Sequence, residues 1–283
     1  DFASEFSDRA KMINKDTLII AVSQSGETAD TLHAVREAKD SGAPVVAITN
    51  TVGSTLTREA DYVLYTHCGP EIGVASTKAF MGQMAAMYVL AIHFAVIRGN
   101  IFDTDARKYV DELLKIPRLI ESVLEREDEV RKIADAAAGS EHFLFISRHI
   151  NFPIALEGAL KIKEIAYVHA EGYAAGEMKH GPIALIDKGM PVLAIATSSK
   201  VLNLVASNIE EAKARGAQVI AIVDEGSREQ IKASKYIVVP RTLEILSPLI
   251  NVVPLQMFAY FIALAKKCDI DKPRNLAKSV TVR

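Results

Sequence analysis

Cysteine is scarce: Cys68 and Cys268 stand far apart, with no CxxC pair and no Cys/His spacing suited to a metal. That usage argues against a disulfide-stapled secreted scaffold and leads us to expect a reducing, cytoplasmic setting. An excess of positive charge is also missing. Lys and Arg number 33 against 35 Asp and Glu, a net charge of −2, so no broad basic field invites nucleic acid. The opening residues, Asp1-Phe2-Ala3-Ser4-Glu5, lack the basic start and apolar run of a signal peptide. A membrane span needs about 20 predominantly apolar residues. The best candidate, Ala75–Gly99, is interrupted by Lys78, Gln83 and His93 and reads instead as a buried or interfacial core helix. Apolar residues are plentiful, at 49%, with 24% charged, enough for one large domain or two ordinary ones.

The chain repeats itself, and repeats decide the fold before motifs do. Thr17–Ser23 (TLIIAVS) matches Met190–Thr197 (MPVLAIAT), and Glu37–Thr49 (EAKDSGAPVVAIT) matches Glu211–Val223 (EAKARGAQVIAIV). Ala38 and Ala212, Val45 and Val219, and Tyr62 and Tyr236 are each 174 residues apart. Each copy reads strand, helix, strand, helix, strand, then a long apolar helix (about Ala75–Arg98 and Pro248–Lys267). Apolar strands alternating with amphipathic helices predict an α/β fold, with parallel sheets flanked by helices. The second copy has extra material in front, a strand at His142–Ser147 and a helix over about Asn151–Val168. The first copy's equivalent would precede residue 1, so the first subdomain is expected to lack that strand and helix. Ala3-Ser4-Glu5-Phe6 already resembles Ala175-Gly176-Glu177-Met178. The expected domains are 1–102, a helical connector over 103–139 interrupted at Pro117, a second subdomain over 140–270, and a tail over 271–283.

Ser23-Gln24-Ser25-Gly26-Glu27-Thr28 lies between a strand and a helix. A helix start beyond the carboxyl end of a parallel strand offers unpaired N–H groups to an anion. Gly26 allows close approach, and three hydroxyls exceed what helix capping requires. An ordinary N-cap is the alternative. No Walker lysine and no GxGxxG pattern accompany the turn, which argues against nucleotides. On the predicted helix, Glu157, Lys161 and Glu164 fall at i, i+4 and i+7, one face. A carboxylate beside a lysine suits proton transfer next to a carbonyl, whereas the plain alternative is a solvated ion-paired face. His180, before Gly181-Pro182, is held on a turn and can serve as an acid–base group or be incidental. Glu71–Lys78 (EIGVASTK) opens a helix with small and hydroxyl residues. Pro273–Val282 has no periodicity and reads as a frayed end.

Taken together, SQSGET, EIGVASTKAF, ALEGALKIKEI, EGYAAGEMKHGP and NLAKSVTV closely resemble the isomerase region of the glucosamine-6-phosphate synthase family. The resemblance runs through essentially the whole chain, with five motifs in order. It implies two sugar isomerase (SIS) subdomains and the formation of glucosamine 6-phosphate from fructose 6-phosphate and glutamine-derived ammonia. It implies phosphate binding by Ser23, Gln24, Ser25 and Thr28, and sugar contacts from Val74, Ser76 and Ala277. Glu164 becomes the base moving a proton between C1 and C2, supported by Glu157 and Lys161. His180 assists ring opening and is contributed across a homodimer. Lys278 sits at the sugar C2 as a Schiff-base or charge-stabilising group, and the tail becomes a lid. No metal or cofactor is implied. The family's glutaminase domain and its Cys-Gly-Thr-Ser segment are not among these residues, and Arg283 stands where the family usually has an acid. Two alternatives remain open. One is a stand-alone sugar-phosphate isomerase or deaminase of the same fold that never had a glutaminase partner; the other is a non-catalytic sugar-phosphate sensor. By itself, the isomerase region is expected to interconvert fructose 6-phosphate and glucose 6-phosphate slowly.

Overall fold

The computed structural model describes residues 1–281; Val282 and Arg283, at the end of the expected tail, lie outside them. They divide into two compact units, Asp1–Ala106 with the segment from Asn275 onward, and Arg107–Arg274.

In the first unit the elements are α1 (Ser7–Ala10), β1 (Ile19–Val22), α2 (Ala29–Asp40), β2 (Val45–Thr49), α3 (Thr55–Glu59), β3 (Tyr62–Tyr65) and α4 (Lys78–Ile97). Runs of branched apolar residues form the strands, as side chains that pack well on a pleated surface should. The strands form a parallel sheet in the order β1-β2-β3, with Ile19 beside Val45 and Val46 beside Tyr62. Helix α2 buries Leu32, Val35 and Ala38 against Ala21, Val45, Ala47 and Leu56. Its remaining surface is polar, giving the amphipathic pattern that ties it to one sheet face.

The second unit continues with α5 (Asp103–Leu124), α6 (Glu127–Ala137), β4 (His142–Ser147), α7 (Phe152–Ala166), β5 (His169–Ala174), β6 (Pro191–Ile195), α8 (Leu202–Lys213), β7 (Gln218–Val223), β8 (Lys235–Val238) and α9 (Ser247–Ala265). Its sheet is parallel throughout, in the order β5-β4-β6-β7-β8. Helix α7 packs on β4, β5 and α9. Gly158 makes this possible, because a Cβ there would fall 2.8 Å from Leu255 Cδ1 and 2.9 Å from Phe145 Cδ1. Phe143 and Phe258 meet edge to face at 5.9 Å between ring centres. A buried polar knot joins three elements: Asn251 donates to Asn151 and to Thr197, each at 3.0 Å, and Asn151 donates to Ser247 at 3.0 Å.

The repeat is visible in the sheets, since β1, β2 and β3 correspond to β6, β7 and β8. Among the described residues the first unit has no counterpart of β4, α7 or β5. Two expectations need correction. Helix α5 runs through Pro117, and the break falls at Glu125–Arg126 instead. Pro117 is exposed, so water can take the carbonyl that its missing N–H leaves without a partner. The expected core burial of the 75–99 helix is also not found: within α4 only Ala79 is buried. Its counterpart α9 is largely enclosed because α6 and α7 pack against it; among the described residues no such helix covers α4. Both α4 and the α9 region are long and apolar enough to cross a membrane by length and composition, α9 being a core helix. Strand β5, which carries no expectation from the sequence, follows α7.

Candidate functional site

The first unit gathers one set of functional side chains at the carboxyl end of its sheet. Strand β1 ends at Val22, and the Ser23–Thr28 turn leads into α2. The turn closes on itself: Gly26 N–H donates to Ser23 Oγ at 3.1 Å, and Glu27 N–H to Ser25 Oγ at 3.2 Å. Gly26 has φ of +67°, and a Cβ there would lie 2.1 Å from Ser54 Oγ, so this position admits only glycine. Thr28 is the residue preceding α2 but makes no capping bond; its hydroxyl meets Ser23 Oγ at 3.1 Å instead. The plain capping reading therefore does not account for these hydroxyls. Gln24 and Ser25 face a cavity of about 640 Å³, while Ser23 is buried beneath.

The tail enters this same cavity. Ala29 N–H donates to Val280 O at 3.0 Å, Ser279 Oγ meets Ser25 Oγ at 3.1 Å, and Lys278 lines the cavity. Lys278 Nζ donates to Gly73 O at 2.5 Å and stands 3.6 Å from Glu71 Oε2. The reading of this segment as a frayed end does not hold. Val74 and Ala277 flank these contacts in sequence, and Ser76 Oγ donates to Glu71 Oε2 at 3.3 Å.

Glu71 escaped the sequence reading. Its side chain is 4% exposed, and its Oε1 accepts from Thr77 N–H at 2.7 Å and Ala79 N–H at 3.4 Å, capping α4 from outside the helix. Burial alone would raise its pKa. The two N–H groups, Lys278 and Ser76 outweigh burial and hold the carboxyl below its ordinary value. Glu71 is thus an anion that anchors Lys278. Asn50 was missed too. Its Oδ1 accepts from Cys68 N–H at 2.8 Å and Thr66 Oγ at 3.0 Å, and its Nδ2 donates to Gly69 O at 2.8 Å, fixing the loop that brings His67 to the cavity wall.

The second unit holds the other set. On α7, Lys161 is buried between two carboxylates, 3.4 Å from Glu157 Oε1 and in direct contact with Glu164 Oε2. Helical spacing brings the three together, as the sequence predicts. Burial pushes the Glu157 carboxyl up to about 7, against the opposing pull of Lys161, and the charge on Glu164 adds to the rise. Glu164 is the more accessible carboxylate, at 22% side-chain exposure against 9% for Glu157. A partly accessible carboxylate in contact with a buried lysine, beside an acid that burial pushes up to about 7, is an arrangement suited to proton transfer. His180 ends a short 3-10 turn, Glu177–His180, before Gly181 at φ +149°. It is exposed and makes no hydrogen bond or ion pair among the described residues. Those residues also contain no group of three or more His, Cys, Asp or Glu placed to hold a metal.

The SIS-domain family profile matches residues 2–93 and 138–266. The chain is 52% identical over all 283 residues to the isomerizing glutamine–fructose-6-phosphate aminotransferase of Methanosarcina acetivorans, and 50% identical to that of Thermus thermophilus. It spans 46% and 47% of these relatives' lengths, about half of each. Among solved structures, the C-terminal domain of glucosamine-fructose-6-phosphate aminotransferase from Francisella tularensis superimposes with a TM-score of 0.90 at 38% identity. That match covers 92% of this chain and 75% of the other. The glucosamine-6-phosphate deaminase of Thermotoga maritima gives a TM-score of 0.77 at 26% identity, covering 98% of this chain and 80% of the other. The chain therefore belongs to the SIS-domain family and corresponds to the carboxyl-terminal, isomerase part of those aminotransferases.

Proposed function

We propose that this chain acts as the sugar-phosphate isomerase part of a glutamine–fructose-6-phosphate aminotransferase, converting fructose 6-phosphate and ammonia to glucosamine 6-phosphate. The observation that carries this reading is the anchored Lys278, which shares one cavity with the Ser25 turn. Gln24 and Ser25 hold the sugar phosphate, with Ser23 and Thr28 shaping the turn beneath. Val74, Ser76 and Ala277 border the sugar. A phosphate fixed away from the reacting carbons supplies binding energy that positions them.

Ammonia adds at the C2 carbonyl and water leaves. Glu164 then takes a proton from C1 and returns it to C2 through an enamine-like intermediate, leaving an aldehyde at C1. Earlier, as ammonia adds and before water leaves, Lys278 stabilises the charge that develops at the C2 oxygen. Glu157 and Lys161 support Glu164 from behind, the lysine in direct contact with it. His180 assists ring opening, donated by a second copy in a homodimer, and the tail closes over the sugar. The ammonia comes from a glutaminase domain of the parent enzyme, in the cytoplasm. The deaminase reading shares this proton transfer but matches this chain at half the sequence identity.

Calorimetric titration with fructose 6-phosphate, glucosamine 6-phosphate and fructose tests the site. Binding in the micromolar to millimolar range by the phosphorylated sugars alone is expected, weakened by Ser25→Ala with Thr28→Ala. Equal binding of fructose would overturn the phosphate assignment.

A further inference from the structure

The second unit has its own cavity, of about 570 Å³, beyond the carboxyl ends of β6, β7 and β8. Ser199, Lys200, Gln230, Arg241, Thr242 and Glu244 line it. Ligands of open parallel sheets bind on this side, and the volume falls within the range of about 300–1,000 Å³ seen for small-molecule sites. None of these residues belongs to the machinery assigned above.

The charges in and beside this cavity are unevenly engaged. Asp224, buried at its edge, accepts from Ser198 N–H at 2.8 Å, Ser198 Oγ at 2.6 Å and Ser227 N–H at 2.9 Å. Glu244 accepts from Lys200 N–H at 3.2 Å and faces His149 Nδ1 at 3.7 Å. Asp224 is therefore occupied, whereas Glu244 has its Oε1 buried without a hydrogen-bond partner and keeps an acceptor for a ligand hydroxyl. Lys200 Nζ and Arg241, by contrast, form no ion pair among the described residues, although both border the cavity. Thr242 Oγ is buried and finds no hydrogen-bond partner in the protein. Two unmatched cations and a hydroxyl without a partner thus border one space, beside the Gln230 amide, whose Nε2 donates to Gly226 O at 3.1 Å; the two cations suit a tetrahedral anion.

The repeat gives the cavity its place. By sheet register, Ile19 beside Val45 matches Val192 beside Val219, so Ser198 stands where Ser25 stands in the first unit. Lys200 then replaces Glu27, and Asp224 replaces Asn50. In the first unit Glu27 is spent on Thr55 N–H at 2.7 Å, whereas the lysine at the same position is left for a ligand.

We infer that this cavity is a second binding site, for a small phosphomonoester that carries hydroxyl groups. Lys200, Arg241, Ser199 and Thr242 take the phosphate, while Gln230 and Glu244 hydrogen-bond to the hydroxylated body. The inference rests on these residues and not on phosphate binding by the first unit.

The test is calorimetric titration at about 0.15 M salt, where loose surface attraction is screened. The probes are glucose 6-phosphate, inorganic phosphate and glucose. In a Ser25→Ala/Thr28→Ala background, glucose 6-phosphate is expected to bind at one site per chain, inorganic phosphate more weakly and glucose not at all. Adding Lys200→Ala and Arg241→Ala should weaken that binding about tenfold for each charge removed, with Arg241→Lys losing less than Arg241→Ala. Circular dichroism and melting curves establish that each variant is folded. Binding in the Ser25→Ala/Thr28→Ala chain that is indifferent to Lys200 and Arg241, or no binding at all in that folded chain, would overturn the second site. Loss of binding only when Lys200 and Arg241 are changed would leave this site standing and remove the first-unit assignment.

Discussion

At the scale of single residues, Glu71 carries two loads, and they can be separated. It caps α4 through Thr77 and Ala79 and anchors Lys278. Glu71→Ala should cost about 1 kcal/mol for the lost cap and lower turnover about tenfold or more by freeing the lysine. Glu71→Gln should recover much of the stability and little of the turnover, because an amide oxygen accepts hydrogen bonds but cannot pair with the ammonium. Melting curves and steady-state rates on both variants check this. Glu157 gives a pH signature. Its folded pKa is about 7, raised from 4.5, so the folded chain holds a proton that the unfolded chain has released between these values. That contribution to stability is present below about pH 4.5 and is lost as pH rises through about 7. Glu157→Gln should therefore flatten the decline in melting temperature between pH 5 and 7 relative to the parent. An unchanged slope would mean that Glu157 is ionised throughout.

Why sequence reasoning found Glu157 and Glu164 but not Glu71 is a matter of distance along the chain. The first two share a helix with Lys161, and helical spacing alone brings them together. Glu71 meets a lysine more than 200 residues away, and its capping of a helix that starts seven residues later follows no local pattern. The first-unit site was half legible for the same reason. Gly26 and its neighbouring hydroxyls form a local motif, whereas the tail's docking on Ala29 and Ser25 is a long-range event that composition does not encode.

Among the elements, strands with uniform apolar runs, such as His142–Ser147, were legible to the residue. Strand β5 was not, because His169-Ala170-Glu171-Gly172-Tyr173-Ala174 at the sheet edge has neither an apolar run nor clean alternation. Pro117 misled in the other direction, since an exposed proline need not break a helix whose other faces are held. The close approach of α7 to α9 was invisible until Gly158 was seen between Leu255 and Phe145. Gly158→Ala should overpack this contact and destabilise the second unit by about 1–3 kcal/mol, lowering its melting temperature by roughly 2–4 °C for each kcal/mol. Calorimetric melting detects it, and a neutral or stabilising effect would mean that the helices can separate without cost.

For the whole molecule, the duplicated α/β architecture could be read from the repeat, and the sheets bear it out in order and direction. What the two copies do with the same framework differs. One sheet presents a glycine turn and a lysine from the tail, the other a buried carboxylate–lysine helix and a cationic cavity. In the proposed reaction Glu164 moves a proton between adjacent sugar carbons. Incubating the chain with fructose 6-phosphate in deuterium oxide and following the sugar by NMR tests it directly. Deuterium entering at C1 or C2 with slow appearance of glucose 6-phosphate is expected. In Glu164→Gln both should cease while fructose 6-phosphate still binds. Exchange that persists undiminished in the folded Glu164→Gln chain would contradict the assignment.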